Sequence, residues 1–349
     1  MAHNIILPSA LNTMQLKIYV IAALLSCFNI LVLTDKPLPY EFSCKNVGKN
    51  DGFCERKTAR NCPFFPKRYW CGEETTHNIL SKMKLEHPKS KLFTKPYIQH
   101  WSKLLQKRGN ILFTGDSVHS HAAFSLMCSM RDYSDKRKYS FARLFPYSKR
   151  VSKLFSKISR KYFCTKTLNK ELICYDRTNV AQDILSKYAF YKRFFSEFGV
   201  VVMNYGLHNK ELNTDPIKEL VHRLSTDLIG TNTILIWRET APQHFSNLGG
   251  VFSADKLSAA CSDISKDPLV VSNQFNLKYN PIFEKYNIRI LRVWNLTRNY
   301  YDAHIHGECT HYCQPGVADL WVEKLYHMLD SDVLENTPSN DIGLPAARG

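Results

Sequence analysis

Short apolar runs rich in isoleucine and valine recur from about Asn110 onward. Asn110 to Thr114, Gly199 to Tyr205 (GVVVMNY), Thr233 to Trp237 (TILIW) and Ile288 to Trp294 (IRILRVW) have the length and composition of strands buried on both faces. Helical spacing appears between and after them. Asp215 and Pro216 suit a helix cap and first turn, Ile217, Leu220, Val221, Leu224 and Leu228 follow on one face, and Gly230 closes the segment. Trp321, Leu325, Met328 and Leu329 form another stripe, and VHSHAAFSLMCSM after Ser117 reads as a further helix. Strands alternating with helices predict an α/β fold over residues 110–331, a three-layer parallel sheet with helices on both faces. Ligands of such sheets sit at the carboxyl ends of the strands. Ser117, Asn204 and Arg238 all fall at or just after such an end.

The N-terminal third is patterned differently. Ile18 to Thr34 (IYVIAALLSCFNILVLT) carries no charge and, at about 17 residues, sits at the short end for a membrane-spanning helix. With Lys17 before it and no small-x-small cleavage site after it, the run reads as a signal anchor behind a short cytosolic tail, residues 1–17, with a cleaved signal peptide as the alternative. A proline-containing stem, Asp35 to Phe42, leads into a cysteine-dense stretch, and 35–109 reads as stem plus disulfide-tied cap. The polar tail 332–349 has the composition of a disordered segment.

Eleven cysteines change the picture further. Cys27 lies within the apolar run. The other ten are Cys44, Cys54, Cys62, Cys71, Cys128, Cys164, Cys174, Cys261, Cys309 and Cys313, an even set that suits disulfides in an oxidising compartment. No paired CxxC knuckles are present, so a metal site is not expected. Connectivity stays open. Asn295-Leu296-Thr297 is a glycosylation sequon. The formal charge of +16 raises nucleic acid as a partner, but no nucleic-acid motif accompanies it. The densest basic stretch, Arg131 to Lys161, reads as a solvated surface insertion, with a patch for an acidic glycan or anionic membrane as the sharper alternative.

Two motifs about 190 residues apart carry the candidate chemistry. ILFTGDSVHSH places Ser117 behind a buried-type strand, and GECTHYCQPG places Glu308 three residues before His311. A serine hydroxyl needs a histidine to take its proton, and the imidazole needs a carboxylate to hold its tautomer. Ser117 at a helix N-terminus could also receive an oxyanion on its backbone N–H. His304 and His306 are the nearest decoys for the base, and Asp302 and Asp319 the rival acids. Gly115 and Asp116 form the turn and are expected to line the oxyanion and substrate side of Ser117. Asn204 and Gly206 could donate an amide and a backbone N–H to the oxyanion, and Arg238 and His244 could contact an acyl donor or sugar acceptor.

Taken together, GDS at Gly115 to Ser117, SLMC at Ser125 to Cys128, NYGLH at Asn204 to His208, WRETAPQHF at Trp237 to Phe245 and ECTHYCQPGVADLW at Glu308 to Trp321 resemble a known family. The chain is similar to the PC-esterase group of the GDSL/SGNH superfamily, in particular the trichome birefringence-like polysaccharide O-acetyltransferases, over roughly 110–329. The resemblance implies the SGNH-hydrolase three-layer fold and a Golgi-facing type II anchor. By position it makes Ser117 the nucleophile and His311 the base, with Asn204 and the Ser117 backbone as the oxyanion hole. Glu308 stands where that family carries aspartate, and the tryptophan-rich block of the plant members is missing.

The expected activity is therefore transfer of an acetyl group to a glycan hydroxyl through an acyl-serine, in the lumen of the secretory pathway. The expected partners are a glycan or polysaccharide acceptor, an acetyl donor or donor-delivering protein as co-substrate, and the membrane through 18–34; no tightly bound cofactor is required. An esterase using the same residues and a non-catalytic glycan-binding relative are the alternatives.

Overall fold

A computed structural model describes Cys62, Phe64 and residues 67–335, apart from 93, 132–133, 140–161, 210–211, 247–251, 253–260 and 265–270. The expected anchor 18–34, Cys44, Cys54, most of the basic stretch and the tail beyond 335 lie outside the described residues. All that is described belongs to one unit, Ser43–Gly349.

Seven strands form one sheet in the order β2-β3-β4-β1-β5-β6-β7. The strands are β1 (Ile111–Gly115), β2 (Ser134–Tyr139), β3 (Tyr162–Thr167), β4 (Leu172–Arg177), β5 (Val200–Asn204), β6 (Ile234–Arg238) and β7 (Arg289–Leu291). From β4 through β1, β5 and β6 to β7 every pairing is parallel. The expectation of a purely parallel sheet is corrected at one edge, where β2, β3 and β4 pair antiparallel. Two strands joined by a short turn can only run antiparallel. Thr167 to Leu172 is such a turn, and Cys164 and Cys174 sit opposite each other across it and are disulfide-bonded.

The helices are α1 (Glu73–Glu86), α2 (Lys95–Arg108), α3 (His119–Ser129), α4 (Ala181–Leu185), α5 (Tyr188–Phe195), α6 (Asp215–Asp227), α7 (Val271–Lys285), α8 (Trp294–Thr297) and α9 (Val317–Glu335). Side chains alternate across a strand, and here they feed two separate cores. Ile111, Phe113, Val200, Val202 and Ile236 pack with α1, α2, α3 and α9. Leu112, Val201, Met203 and Trp237 pack on the other face with α4, α5, α6 and α7. The result is the expected three-layer arrangement. In α6 the predicted stripe of Ile217, Leu220, Val221 and Leu224 is the buried face, with Leu228 at the C-cap. β7 is shorter than its apolar run, because Trp294 already begins α8.

Helices α1 and α2 share the first core instead of forming their own. Met83, Tyr97, Trp101 and Leu105 pack there beside Val322, Leu325 and Leu329 of α9. A disulfide ties Cys62 to Cys128 at the end of α3. Among the described residues no helix is long and apolar enough to cross a membrane.

One backbone crossing leaves no room for a side chain. A Cβ on Gly199, at the start of β5, would sit 1.6 Å from the Arg108 carbonyl oxygen at the end of α2. Neither partner is a flexible side-chain end, so the chain itself must move. Gly199→Ala is expected to lower unfolding free energy by about 1–3 kcal/mol, read by chemical denaturation. An unchanged midpoint would refute so close a crossing.

Candidate active site

The turn after β1 is built by three residues with separate tasks. A Cβ on Gly115 would lie 2.4 Å from the Asn204 carbonyl oxygen and 2.9 Å from His119 Cβ, so glycine lets α3 cross close to β5. Asp116 is fully buried, and its Oδ1 accepts the His119 N–H at 2.8 Å, closing the first turn of α3. Ser117 is left partly exposed between them. Its backbone N–H has no partner among the described residues and stands at the N-terminus of α3, where the helix dipole favours negative charge.

His311 comes from the loop between α8 and α9. Its Nε2 lies 2.7 Å from Ser117 Oγ, and its Nδ1 lies 2.6 Å from Glu308 Oε2. Glu308 also accepts the backbone N–H groups of Thr310 at 2.7 Å and His311 at 2.9 Å. Gly307 provides the positive-φ turn (φ 78°) that folds Glu308 back toward them. Burial alone would raise the Glu308 pKa. The side-chain and backbone hydrogen bonds and charge of His311, with the Thr310 side chain, outweigh it, so the carboxyl is held below its ordinary value. A carboxylate acceptor fixes the proton on His311 Nδ1 and leaves Nε2 with a lone pair toward the serine.

The loop is fastened on several sides. Cys309 is bonded to Cys261 and Cys313 to Cys71, so a disulfide lies on either side of His311. The β6–α7 connection braces it as well: Gln243 donates to Thr310 Oγ1 at 2.6 Å, and His244 N–H donates to the Cys309 carbonyl at 3.0 Å.

His304 and the rival acids are occupied elsewhere, and His306 is exposed. His304 is buried, with Nδ1 3.1 Å from the His311 carbonyl and Nε2 2.6 Å from His244 Nδ1, so it supports the backbone of the base. Burial lowers the pKa of His304 well below the usual value and that of His244 to about 4. Asp302 pairs with Lys82 at 3.0 Å. Asp319 accepts the Gly316 N–H at 2.8 Å at the start of α9 and also bonds Ser125.

Five expected oxyanion or substrate contacts are corrected by the structure. Gly115 and Asp116 form the buried floor of the nucleophile turn and present no group to a ligand. Both amide hydrogens of the buried Asn204 are already donated, to the Arg238 carbonyl at 2.7 Å and Thr240 Oγ1 at 3.1 Å. Asn204 therefore locks β5 to the end of β6. Gly206 packs under Thr240, where a Cβ would meet Oγ1 at 1.9 Å, and its N–H points to Asn204 Oδ1 at 3.4 Å. Arg238 is fully buried: its Nε donates to His119 Nδ1 at 2.8 Å, and its guanidinium lies 4.8 Å from the Trp321 ring centroid. Burial lowers its pKa to about 10 despite nearby Asp116. His244 faces His304 and the Arg298 carbonyl. Asn295 is exposed on α8, while Thr297 of the same sequon is buried and accepts from Trp321 at 2.8 Å.

Two rings that sequence reading passed over pack against the base. Tyr69 lies 5.5 Å from the His311 ring at 21°, His121 lies 5.6 Å from it at 26°, and Tyr69 and His121 are 4.4 Å apart. His121 is fully buried, and burial lowers its pKa well below the usual value, followed by the influence of His311. Tyr69 is 2% exposed, and its carbonyl accepts the Gln314 N–H at 2.9 Å. The available signals were the HSH sequence after Ser117 and the position of Tyr69 two residues before Cys71. Among the described residues no group of three or more His, Cys, Asp or Glu converges as a metal site requires.

No protein-family model matches the sequence, and no curated protein matches it. Among solved structures, a GDSL-like lipase from Bacteroides thetaiotaomicron is 11% identical, with 68% of this chain and 98% of that chain covered and a TM-score of 0.32. A mutant acetyl-xylooligosaccharide esterase from Geobacillus Stearmophilus is 12% identical, with 63% and 94% covered and a TM-score of 0.33. The chemistry of the site is accordingly read from its own geometry.

A pH dependence of stability follows from Glu308. Its folded pKa is depressed, so its contribution is complete above the ordinary value of 4.5 and is lost as pH falls through the lower folded value. As pH falls below the ordinary carboxylate value, Glu308→Gln should lose less thermal stability than wild type. Parallel acid profiles would show that the carboxylate is not linked to folding.

Proposed function

We propose that this protein is a membrane-anchored O-acetyltransferase of the secretory pathway that moves an acetyl group to a glycan hydroxyl through an acyl-serine. One observation carries the reading, the unbroken hydrogen-bonded chain from Ser117 Oγ through His311 to Glu308 at 2.7 and 2.6 Å. Ser117 Oγ attacks the carbonyl carbon of the acetyl donor while His311 Nε2 takes its proton. Glu308 holds the imidazolium that forms and stays ionised, consistent with its lowered pKa. The developing oxyanion falls at the start of α3, where the Ser117 N–H is free among the described residues. His311 then gives the proton to the leaving group. In the second half the sugar hydroxyl loses its proton to His311 and attacks the acyl-serine. Collapse returns the proton to Ser117 and releases the acetylated glycan.

The four disulfides seen suit an oxidising lumen, and Ile18 to Thr34 supplies the anchor of this reading. The bond between Glu308 and His311 supports a working triad over a non-catalytic relative. An esterase is the second reading, favoured by exposure: the His311 side chain is 22% accessible, so water can take the place of the sugar.

Intact-mass analysis of the full chain in detergent, after incubation with an uncharged aryl acetate, should show one acetyl adduct, absent in Ser117→Ala. Aryl alcohol release should fall by roughly 10⁴-fold or more in Ser117→Ala and His311→Ala, and by about 10²–10⁴-fold in Glu308→Gln. Added oligosaccharides that accept the acetyl group would establish the transferase; release to water alone, still dependent on Ser117, would establish the esterase. Turnover unaffected by Ser117→Ala would sink both.

A further inference from the structure

Charge is distributed unevenly around Ser117. The neighbouring acids are turned inward. Asp116 is fully buried and closes α3, and Asp176 is 1% exposed and accepts from Thr114 and Thr178 at 2.9 and 2.8 Å. Glu308 is bound to His311 and two amides.

The cations face outward. Arg177 ends β4 in register with Gly115, two residues before the nucleophile. Strand alternation places it on the face of Ile173 and Tyr175, which is also the face that carries Tyr69. Arg177 is exposed and has no partner among the described residues. Arg68 is exposed too, but it is held. It donates from Nη2 to Tyr69 Oη at 3.0 Å, and its guanidinium lies 4.9 Å from the Tyr69 ring centroid. That ring in turn stacks 5.5 Å from His311. Both arginines, together with Glu308, are the charged groups acting on the Tyr69 phenol. Two arginines from separate segments thus share the sheet face that carries Tyr69 and the nucleophile turn.

We propose that Arg68 and Arg177 form an anion-recognition site beside Ser117, which holds a carboxylate or phosphate group of the substrate. The inference rests on the acyl-serine reading above and deepens it by naming the substrate class. The anion belongs either to an acidic sugar acceptor or to a phosphate-bearing acyl donor. A guanidinium presents a planar fork of donors that matches both groups, and Arg68 is already oriented by Tyr69. Outward-facing cations over inward-turned acids also attract such a substrate from a distance, and salt screens that attraction.

The test uses the full chain in detergent as the Ser117→Ala variant, so that binding is measured without turnover. Three probes are titrated calorimetrically: a hexuronate oligosaccharide, its carboxyl-reduced neutral counterpart, and coenzyme A. One anionic probe should bind about tenfold more tightly than the neutral sugar at low salt, and the preference should shrink at high salt. Arg68→Gln and Arg177→Gln should each weaken that probe about three- to fivefold, and the double variant should remove the preference. Arg68→Lys, which keeps the charge and loses the fork, should fall between. Preference for the hexuronate assigns the site to the acceptor, and preference for coenzyme A to the donor. Equal binding of all three probes, or a preference that survives the double variant, overturns the proposal. The acyl-serine reading is scored separately by the acetyl adduct on wild type. Anion binding without any adduct would sink that reading and leave the anion site standing.

Discussion

A hydroxyl and an imidazole 194 residues apart in the chain meet at 2.7 Å, and much of the architecture serves that meeting. Ser117 is placed by the sheet, because β1 is its central strand and the turn after β1 is closed by buried bonds. His311 has no strand to hold it. Its position depends on a loop, and a loop is the least rigid kind of support. A displacement of one ångström at such a contact can cost two orders of magnitude in rate. The loop must therefore be made as stiff as the sheet edge it faces.

The stiffness comes from several independent restraints. Glu308 bonds the imidazole and two amides of its own loop, so the acid that orients the base also folds the backbone that carries it. The glutamate side chain reaches His311 Nδ1 after a turn at Gly307. The Cys71–Cys313 bond closes a loop across 242 positions, and Cys261–Cys309 one across 48. Bonds of this kind typically stabilise by about 2–4 kcal/mol, mainly by restricting the unfolded chain. Cys71–Cys313 also brings Tyr69 beside the base, with His121 packed against both rings.

Much of this was legible in the sequence, for identifiable reasons. Strands buried on both faces have an unmistakable composition, so β1, β5 and β6 were found to within a residue or two. The amphipathic stripe of α6 was equally plain. Ser117, His311 and Glu308 stood out because nucleophile, base and acid are chemically distinctive types. What escaped was decided by contacts distant in sequence. β4, LICYDR, alternates polar and apolar residues toward its end and lies just beyond a basic stretch that masks it. Tyr69 and His121 are ordinary residues until a disulfide and a helix bring them to His311. Cysteine pairing was open for the same reason, since spacing does not encode which sulfurs approach.

Asn204 and Arg238 show the deeper limit. Both are polar and both sit at the carboxyl edge, where ligands of parallel sheets bind. That edge needs polar side chains for two purposes that sequence position does not separate. Some must reach into the cleft, and some must satisfy backbone groups left open where the strands end. Asn204 serves the second purpose, with both amide hydrogens committed to β6 and its continuation. Arg238 is kept from the cleft by full burial: Nε is held by His119 and the guanidinium lies against Trp321, while Nη1 has no partner among the described residues. Arg177, on β4 across β1 from Asn204, ends with its side chain exposed and is left for the first purpose. The distinction is commitment or burial: a polar group whose hydrogens are committed inside the fold, or sealed away from the cleft, has none to offer a ligand.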